Sequence, residues 1–285
     1  MKIKKHANGN QYLLTSQNKW VRKFTSSNLP FVDINKTIDS KDHFQFLQNE
    51  VSNGFIRNQW IDSEEIQHSD VVIVSDGYDF KRKHQLLASL PKDVAIIGVN
   101  GALAKWEVAN RSMTYYVVNN PYQDCMKYLP RRSRAMPKCV ASPRTYHEFL
   151  QNYRGTKYRY YPVNELSYTT MGAKEVRWQI DDYRNPICAA IGLAYRFGVE
   201  RLLFFCCDDS FKEERPGAIS LKNGLWMYPQ QELAHGLIEG NLHWLTNQPY
   251  QEVLVGDCSS GLIYTNASYI EEDKLLSFFG AGENG

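Results

Sequence analysis

The sequence predicts an α/β fold: a Rossmann-like, mostly parallel sheet of about six strands with helices on both faces, preceded by a small N-terminal β-hairpin appendage. The first observation is that short β-branched runs alternate with helical segments from residue 67 onward, which is typical of a parallel sheet covered on both faces. The second is a globular composition, because 43% of the 285 residues are apolar and 22% are charged. A chain of this length and composition can bury a sizeable core.

Residues 1–66 form the predicted appendage. The Asn8-Gly9 pair accepts the positive φ of a tight turn, and short alternating stretches follow it, so a hairpin or small meander is expected here. Asp39 can cap a helix that runs to about Ser52. The sequence therefore predicts a boundary near residue 66.

Residues 67–285 form the predicted nucleotide-binding catalytic domain. An insertion is expected near residues 152–182, where Tyr and polar residues show little periodicity. A helix is expected from Pro186, with Asn185 as its N-cap and Gly198 at its left-handed C-terminal position. The predicted strands are Val71–Val74, Val94–Val99, Tyr115–Val118, Lys138–Ala141, Arg201–Cys207 and Glu252–Val255.

Polar residues follow five of these six strands. Ligands of such sheets bind beyond the carboxyl ends of the strands, so these residues are candidates for contact with a donor or nucleotide. The same residue types also form turns and helix caps, and the amides at Asn185 fit a phosphate and ordinary capping equally well. The candidates are Ser75, Asp76, Gly77, Asn100, Gly101, Asn119, Asn120, Asn185, Asp208 and Asp209.

Several familiar motifs are absent from the sequence. It holds no Walker GxxxxGK[ST], GxGxxG, HExxH or GxSxG, which argues against P-loop kinases, ordinary dehydrogenases, zincins and serine hydrolases. None of the six cysteines forms a CxxC pair, so reduced core thiols are expected. No apolar run is long enough to span a membrane, and the polar N-terminus lacks a signal core, so we expect a cytoplasmic protein without membrane contact.

A second group of polar residues is spaced by four. His235, Glu239 and His243 lie along one face of a predicted helix. The spacing is compatible with the polar stripe of an amphipathic helix, with a histidine that acts as a base, and with a metal site.

The third feature is a basic, tyrosine-rich stretch between Cys125 and Tyr161. Nine Lys or Arg stand against one acid, Glu148, so this stretch carries +8 and leaves −6 for the rest of a chain whose net charge is +2. Six interleaved tyrosines add stacking surfaces, a mixture that suits a nucleic acid or a nucleotide, although a solvated basic surface has the same composition. The candidate acceptor-binding residues are Arg131, Arg132, Arg154, Tyr158 and Arg159.

From 67 to about 265 the order of elements resembles the Rossmann-type family of archaeal hydroxymethylpterin diphosphokinase and the motility accessory glycosyltransferases that modify flagellin. It is also similar in layout to the bacterial metal-independent sialyltransferases. The matching positions are the turn Ser75-Asp76-Gly77, the second strand end Asn100-Gly101-Ala102, the third strand end Asn120-Pro121, and the segment from Gly198 to Asp208-Asp209.

Two departures from this family bear on the reaction. The diphosphokinase branch carries a metal-binding acidic motif where this chain has neutral Asn119 and Asn120, and this difference favours the sialyltransferase-like side. Asp76 replaces a neutral residue of the family's first turn, and an anion there would repel a diphosphate unless it contacts a sugar hydroxyl.

The resemblance implies a glycosyltransferase with a nucleotide-sugar donor and no cofactor. Asn100 and Asn120 would contact ribose or phosphate, and Asp208 or His235 would act as the base for an acceptor hydroxyl. The basic stretch makes DNA or RNA with a hydroxylated base the expected acceptor. The alternatives are a magnesium-dependent diphosphokinase that acts with ATP on a pterin-like alcohol and a non-catalytic nucleic-acid-binding protein.

Overall fold

The computed structural model describes residues 2–5, 11–14, 20–23, 40–54, 59–61, 67–106, 111–130, 136–162, 179–208, 210–220, 225–249, 251–260 and 262–280. Its strands are β1 (Lys2–Lys5), β2 (Gln11–Leu14), β3 (Trp20–Lys23), β4 (Gln59–Trp60), β5 (Asp70–Val74), β6 (Ala95–Val99), β7 (Tyr115–Val118), β8 (Lys138–Ala141), β9 (Lys157–Arg159), β10 (Tyr161–Pro162), β11 (Gln179–Ile180), β12 (Arg201–Phe205), β13 (Ile219–Ser220), β14 (Trp226–Met227), β15 (Leu254–Asp257), β16 (Leu262–Ile263) and β17 (Ser268–Tyr269). Its α-helices are α1 (Ser40–Gly54), α2 (Phe80–Lys83), α3 (Ala102–Lys105), α4 (His147–Asn152), α5 (Pro186–Arg196), α6 (Pro229–Thr246) and α7 (Leu275–Phe278).

Within the described residues, the central sheet has nine strands in the order β17-β15-β12-β5-β6-β7-β8-β9-β4. Its neighbouring strands pair in parallel, which confirms the predicted α/β class. The six predicted strands correspond to β5, β6, β7, β8, β12 and β15. The prediction of about six strands missed β4, β9 and β17, because strands of two or three residues are too short to show a β pattern.

The residues of the sheet alternate between two cores, one on each face. On β5, Val71 and Ile73 belong to the core under α5 and α6, whereas Val72 and Val74 belong to the core on the opposite face. The strands of a parallel sheet are buried on both faces, which explains why their sequences are continuous apolar runs. All six cysteines are buried, as expected for core residues.

Strands β1, β2 and β3 form the predicted N-terminal meander, and β16 pairs with β3 in parallel. The predicted turn at Asn8-Gly9 lies outside the described residues. Among the described residues, no helix is both long enough and apolar enough to cross a membrane.

Helix α1 packs against the body of the protein although it lies within the predicted appendage. The side-chain Nδ2 of Asn53 donates to the carbonyl oxygens of Pro143 and Thr145, at 2.6 and 2.7 Å. Glu50 forms a buried ion pair with Arg144, at 2.6 Å. Since β4 also joins the central sheet, both α1 and β4 contact the body directly, and the division at residue 66 stays a prediction.

Candidate functional site

The order in which the chain adds strands to the sheet reverses between β5 and β12. After β5 it adds β6 and its followers on one side, and β12 and β15 lie on the other side. In an open parallel sheet this switch point leaves a crevice beyond the carboxyl ends of the two strands. Here the crevice is bounded by residues 75–77 and 206–208, which we call the switch-point crevice.

Its two walls approach each other closely at Gly77. The amide of Gly77 donates to the carbonyl of Cys206 at 3.0 Å, and a Cβ at residue 77 would lie only 2.4 Å from Oδ1 of Asp208. Cys206 has a φ of 55°, which a residue with a side chain adopts only when its surroundings hold it there. The predicted residues Gly77 and Asp208 are therefore brought together by a close backbone approach that requires glycine.

Asp76 is neutralised by a lysine that sequence reasoning did not identify. Nζ of Lys105 lies 3.0 Å from Oδ2 of Asp76 and also donates to its backbone carbonyl, at 3.0 Å. The amide of Gly101 donates to Oδ1 of Asp76 at 3.3 Å, so the loop after β5 is tied to the loop after β6. This ion pair removes the repulsion that an isolated carboxylate would exert on a diphosphate.

Ser75 presents a buried hydroxyl at the start of the crevice. Its side chain is wholly buried, and within the described part of the chain nothing hydrogen-bonds to its Oγ. Burying such a group without a partner costs about 1–3 kcal/mol.

Asp208 is buried and held by two neighbours. Ser210 donates its hydroxyl to Oδ2 of Asp208 at 2.8 Å, and Nε2 of His235 lies 3.1 Å from the Asp208 carbonyl oxygen, to which it donates. His235 has no exposed surface and stacks on Tyr264, with ring centroids 5.3 Å apart. Nε2 of His235 donates to a backbone carbonyl. The arrangement therefore fits a histidine that positions the Asp208 loop better than a histidine that contacts an acceptor hydroxyl.

A second buried carboxylate, Asp257, lies at the end of the neighbouring strand β15. Burial, with a smaller contribution from the charge of Asp208, raises the pKa of Asp257 to about 7. The amide of Ser259 donates to its Oδ1 at 2.8 Å, and Oγ of Ser259 in turn accepts from the amide of Cys207 at 3.0 Å. The ends of β12 and β15 are therefore joined by hydrogen bonds, and each end carries a buried acid.

Asn119 takes part in another buried group at the end of β7. Its Nδ2 lies 3.4 Å from Oδ2 of Asp182, which also accepts from the hydroxyl of Tyr160 at 2.5 Å. Burial is the largest effect on the pKa of Asp182 and raises it. Asp182 and Tyr160 were not singled out in the sequence, since only the fold brings them beside a strand end.

Three other predicted donor contacts have local roles in the structure. Asn100 has a φ of 50° at the turn after β6. The side chain of Asn120 closes its own loop, with Nδ2 3.0 Å from Asp124 and Oδ1 2.9 Å from the amide of Tyr122. Asn185 caps α5 as predicted, because its Oδ1 accepts from the amide of Ile187 at 2.8 Å. Their ligand roles stay predictions, and Asp209 lies outside the described residues.

The three predicted acceptor-binding residues that the structure describes, Arg154, Tyr158 and Arg159, differ in burial. Tyr158 is only 5% exposed and belongs to the core, which corrects its predicted role, because a ring packed in the core does not offer a face on which a base can stack. Arg159 lies over the ring of Trp60, 4.3 Å from its centroid, and Arg154 is exposed. Arg131 and Arg132 lie outside the described residues.

The histidine group on α6 is split by burial. His235 and Glu239 are buried, whereas His243 is exposed, so the three side chains do not face one cavity. Glu239 accepts from the amide of Thr265 and from Asn266. Among the residues that the structure describes, no three His, Cys, Asp or Glu side chains are grouped to hold a metal ion.

The fold is similar to that of a known glycosyltransferase. The structure of the MAf glycosyltransferase from Magnetospirillum magneticum AMB-1 matches with a TM-score of 0.61 at 14% sequence identity. The match covers 82% of this chain and 39% of that chain, so the present chain spans less than half of that protein's length. At this identity the likeness shows the fold alone, and it confirms the fold expected from the family resemblance.

Comparisons of the sequence itself give no family assignment. No protein-family model matches the chain, and no curated protein matches it.

Proposed function

We propose that this chain is a glycosyltransferase that moves a sugar from a nucleotide-sugar to a hydroxyl acceptor. The observation that carries the proposal is the switch-point crevice, where the Asp208 carboxylate meets the glycine turn after β5. The likeness in fold to a glycosyltransferase supports the same reaction class.

The donor would lie across the loops after β5 and β6. The ion pair of Asp76 with Lys105 supports an anionic ligand here, since it leaves no net negative charge beside the phosphates. The hydroxyl of Ser75 would gain the partner that it lacks among the described residues. Asn100 and Gly101 stand at the end of β6, where a ribose or phosphate can approach the backbone.

Asp208 is the proposed base. In the reaction the acceptor oxygen forms a bond to the anomeric carbon, the bond from that carbon to the donor phosphate breaks, and the bonding electrons leave with the nucleotide. The hydroxyl proton passes to the Asp208 carboxylate, which acts as a general base in the transition state. We assign His235 as a positioning residue, because its ring holds the backbone carbonyl of Asp208.

A nucleic acid remains the proposed acceptor on grounds of charge. The stretch between Cys125 and Tyr161 carries +8, and polyanion binding depends mainly on such charge. Exposed Arg154 supports this proposal, whereas the buried ring of Tyr158 takes no part in it.

The test uses the full chain and a panel of nucleotide-sugars, with nucleoside phosphate release and sugar transfer as the readouts. We expect one donor to raise the melting temperature and to be consumed with a hydroxylated acceptor. Asp208→Asn should lower turnover at least a hundredfold, whereas Asp273→Asn, which changes an exposed acid, should not. If no donor binds and ATP with Mg²⁺ yields AMP instead, the reaction is diphosphoryl transfer and the proposal is overturned. Salt-dependent nucleic-acid binding without turnover of either donor would also overturn it.

A further inference from the structure

A pocket of about 340 Å³ lies between α5, α6 and the segment around β11. Its volume lies within the usual range for small-ligand sites, which begins at about 300 Å³. None of the lining residues that the structure describes belongs to the loops at the switch-point crevice. Its lining is Ile180, Asp181, Tyr183, Gly192, Tyr195, Arg196, Gly240, Asn241 and Trp244.

One wall of the pocket is an aromatic pair. The rings of Tyr195 and Trp244 meet edge to face, with centroids 4.8 Å apart and planes at 67°. Trp244 is 44% exposed, which is a large exposed fraction for a large aromatic side chain. In an edge-to-face pair the two rings do not form a slot between parallel faces. The pair therefore suits a ligand that packs one apolar face against a single ring.

The remaining lining supplies polar groups of three kinds. Asp181 offers a carboxylate, Arg196 a guanidinium and Asn241 an amide. Together they can accept from and donate to neighbouring hydroxyls, and the mixed charge does not favour a polyanion. A sugar ring is complementary to this lining, because it has an apolar face of C–H groups and a rim of hydroxyls.

Gly240 gives an independent reason to regard the pocket as a ligand site. It lies in the interior of α6, where glycine costs helix stability relative to other residues. A Cβ there would meet no atom within 4 Å, so packing does not demand glycine at this position. An open position on the pocket wall is, however, what a ligand approaching the helix would require.

We propose that this pocket binds a sugar ring of a saccharide, at a site separate from the switch-point crevice. The apolar face of the ring lies on the Trp244 and Tyr195 wall, and its hydroxyls pair with Asp181, Arg196 and Asn241. The inference does not depend on the transfer reaction, because binding here requires neither a donor nor Asp208.

The experiment titrates the full chain, without nucleotide-sugar, with methyl glycosides of glucose, galactose, mannose and N-acetylglucosamine, and with adenosine. Binding is followed by calorimetry and by tryptophan fluorescence. We expect at least one glycoside to bind and Trp244→Ala to weaken it tenfold or more. Gly240→Met should weaken binding equally while the melting temperature stays level or rises, because the change favours the helix but fills the opening.

Leu276→Ala removes an exposed apolar side chain outside the pocket and should bind as the unaltered chain does. The proposal is overturned if no glycoside binds, if binding survives both pocket variants, or if adenosine alone binds in the pocket. Asp208→Asn should leave glycoside binding unchanged, so a failed transferase and a failed sugar pocket give different results.

Discussion

The hydroxyl of Tyr160 lies 2.5 Å from Oδ2 of Asp182, and the pair joins the end of β9 to the turn before α5. The carbonyl of Asp182 accepts from the amide of Asn185 at 2.6 Å, and its Oδ1 accepts from the amide of Arg184 at 3.0 Å. Arg184 has a φ of 59°, so this turn is held in a conformation that side chains disfavour. Asp182 therefore fixes where α5 begins relative to the strand ends.

Removing the Tyr160 hydroxyl should destabilise the protein in a pH-dependent way. Tyr160→Phe keeps the ring but takes a donor from a buried carboxylate, and a hydrogen bond to a charged group contributes about 2 kcal/mol. That donor stabilises the charged form of Asp182 and lowers its pKa, against the stronger effect of burial. The loss in unfolding free energy should therefore be larger at pH 8 than at pH 5, as measured by urea denaturation.

The matched control is Tyr153→Phe. The hydroxyl of Tyr153 donates to the uncharged carbonyl of Pro137 at 2.6 Å, so its removal should cost about 1 kcal/mol at both pH values. An equal pH dependence in both variants would contradict a charged Asp182 at the higher pH.

Gly77→Ala should strongly destabilise the fold. The added Cβ would lie 2.4 Å from Oδ1 of Asp208 and 2.5 Å from the carbonyl oxygen of Cys206, and the latter is backbone that cannot rotate away. Overpacking of this kind costs about 1–3 kcal/mol. Gly54→Ala, where a Cβ meets nothing within 4 Å, should leave the denaturation midpoint unchanged or raise it. If Gly77→Ala is as stable as the control, the two loops are not in close contact.

The sequence was sufficient to predict the main strands and the start of α5 because those signals are local. The apolar run of β5 and the pairing of Asn185 with Pro186 depend on neighbours along the chain. The role of Lys105 could not be found in this way, since its partner Asp76 is 29 residues distant and meets it only across β6. The sequence did give a general reason to expect such a cation, because a carboxylate predicted beside a phosphate needs a positive charge to neutralise it.

The buried acids of the candidate site could not be predicted for the same reason. Asp257, Tyr160 and Asp182 lie in separate segments of the chain, and only the order of the strands brings each to its partners. Tyr158 was misjudged for the converse reason, because composition identifies an aromatic residue but not which face of a short strand it occupies.

Lys105→Ala should separate a charge effect on donor binding from a stability effect. The ion pair is partly exposed, with 40% of the Lys105 side chain and 27% of the Asp76 side chain accessible, so its loss should cost less than about 1 kcal/mol. An unpaired Asp76 would repel the donor phosphates, and the Kd for a nucleotide-sugar should rise tenfold or more. Lys92→Ala also removes one positive charge, but Lys92 precedes β6 and so lies at the other end of the strands from the crevice. This variant should leave the Kd for the nucleotide-sugar unchanged. Equal affinities in the two variants would place the phosphates elsewhere.

Asp257→Asn should flatten the dependence of stability on pH between about 4 and 7. Burial raises the pKa of Asp257 from 3.8 to about 7 in the folded chain, so over this interval the folded state holds a proton that the unfolded state has lost. The stabilisation is fully present below about pH 4 and is lost as the pH rises through 7, a change on the order of 4 kcal/mol. The variant cannot titrate at this position, so its unfolding free energy in urea should fall less steeply with pH. Asp273→Asn alters an exposed acid and should keep the full slope. Identical slopes for Asp257→Asn and the unaltered chain would mean that Asp257 is ionised in the folded protein across this range.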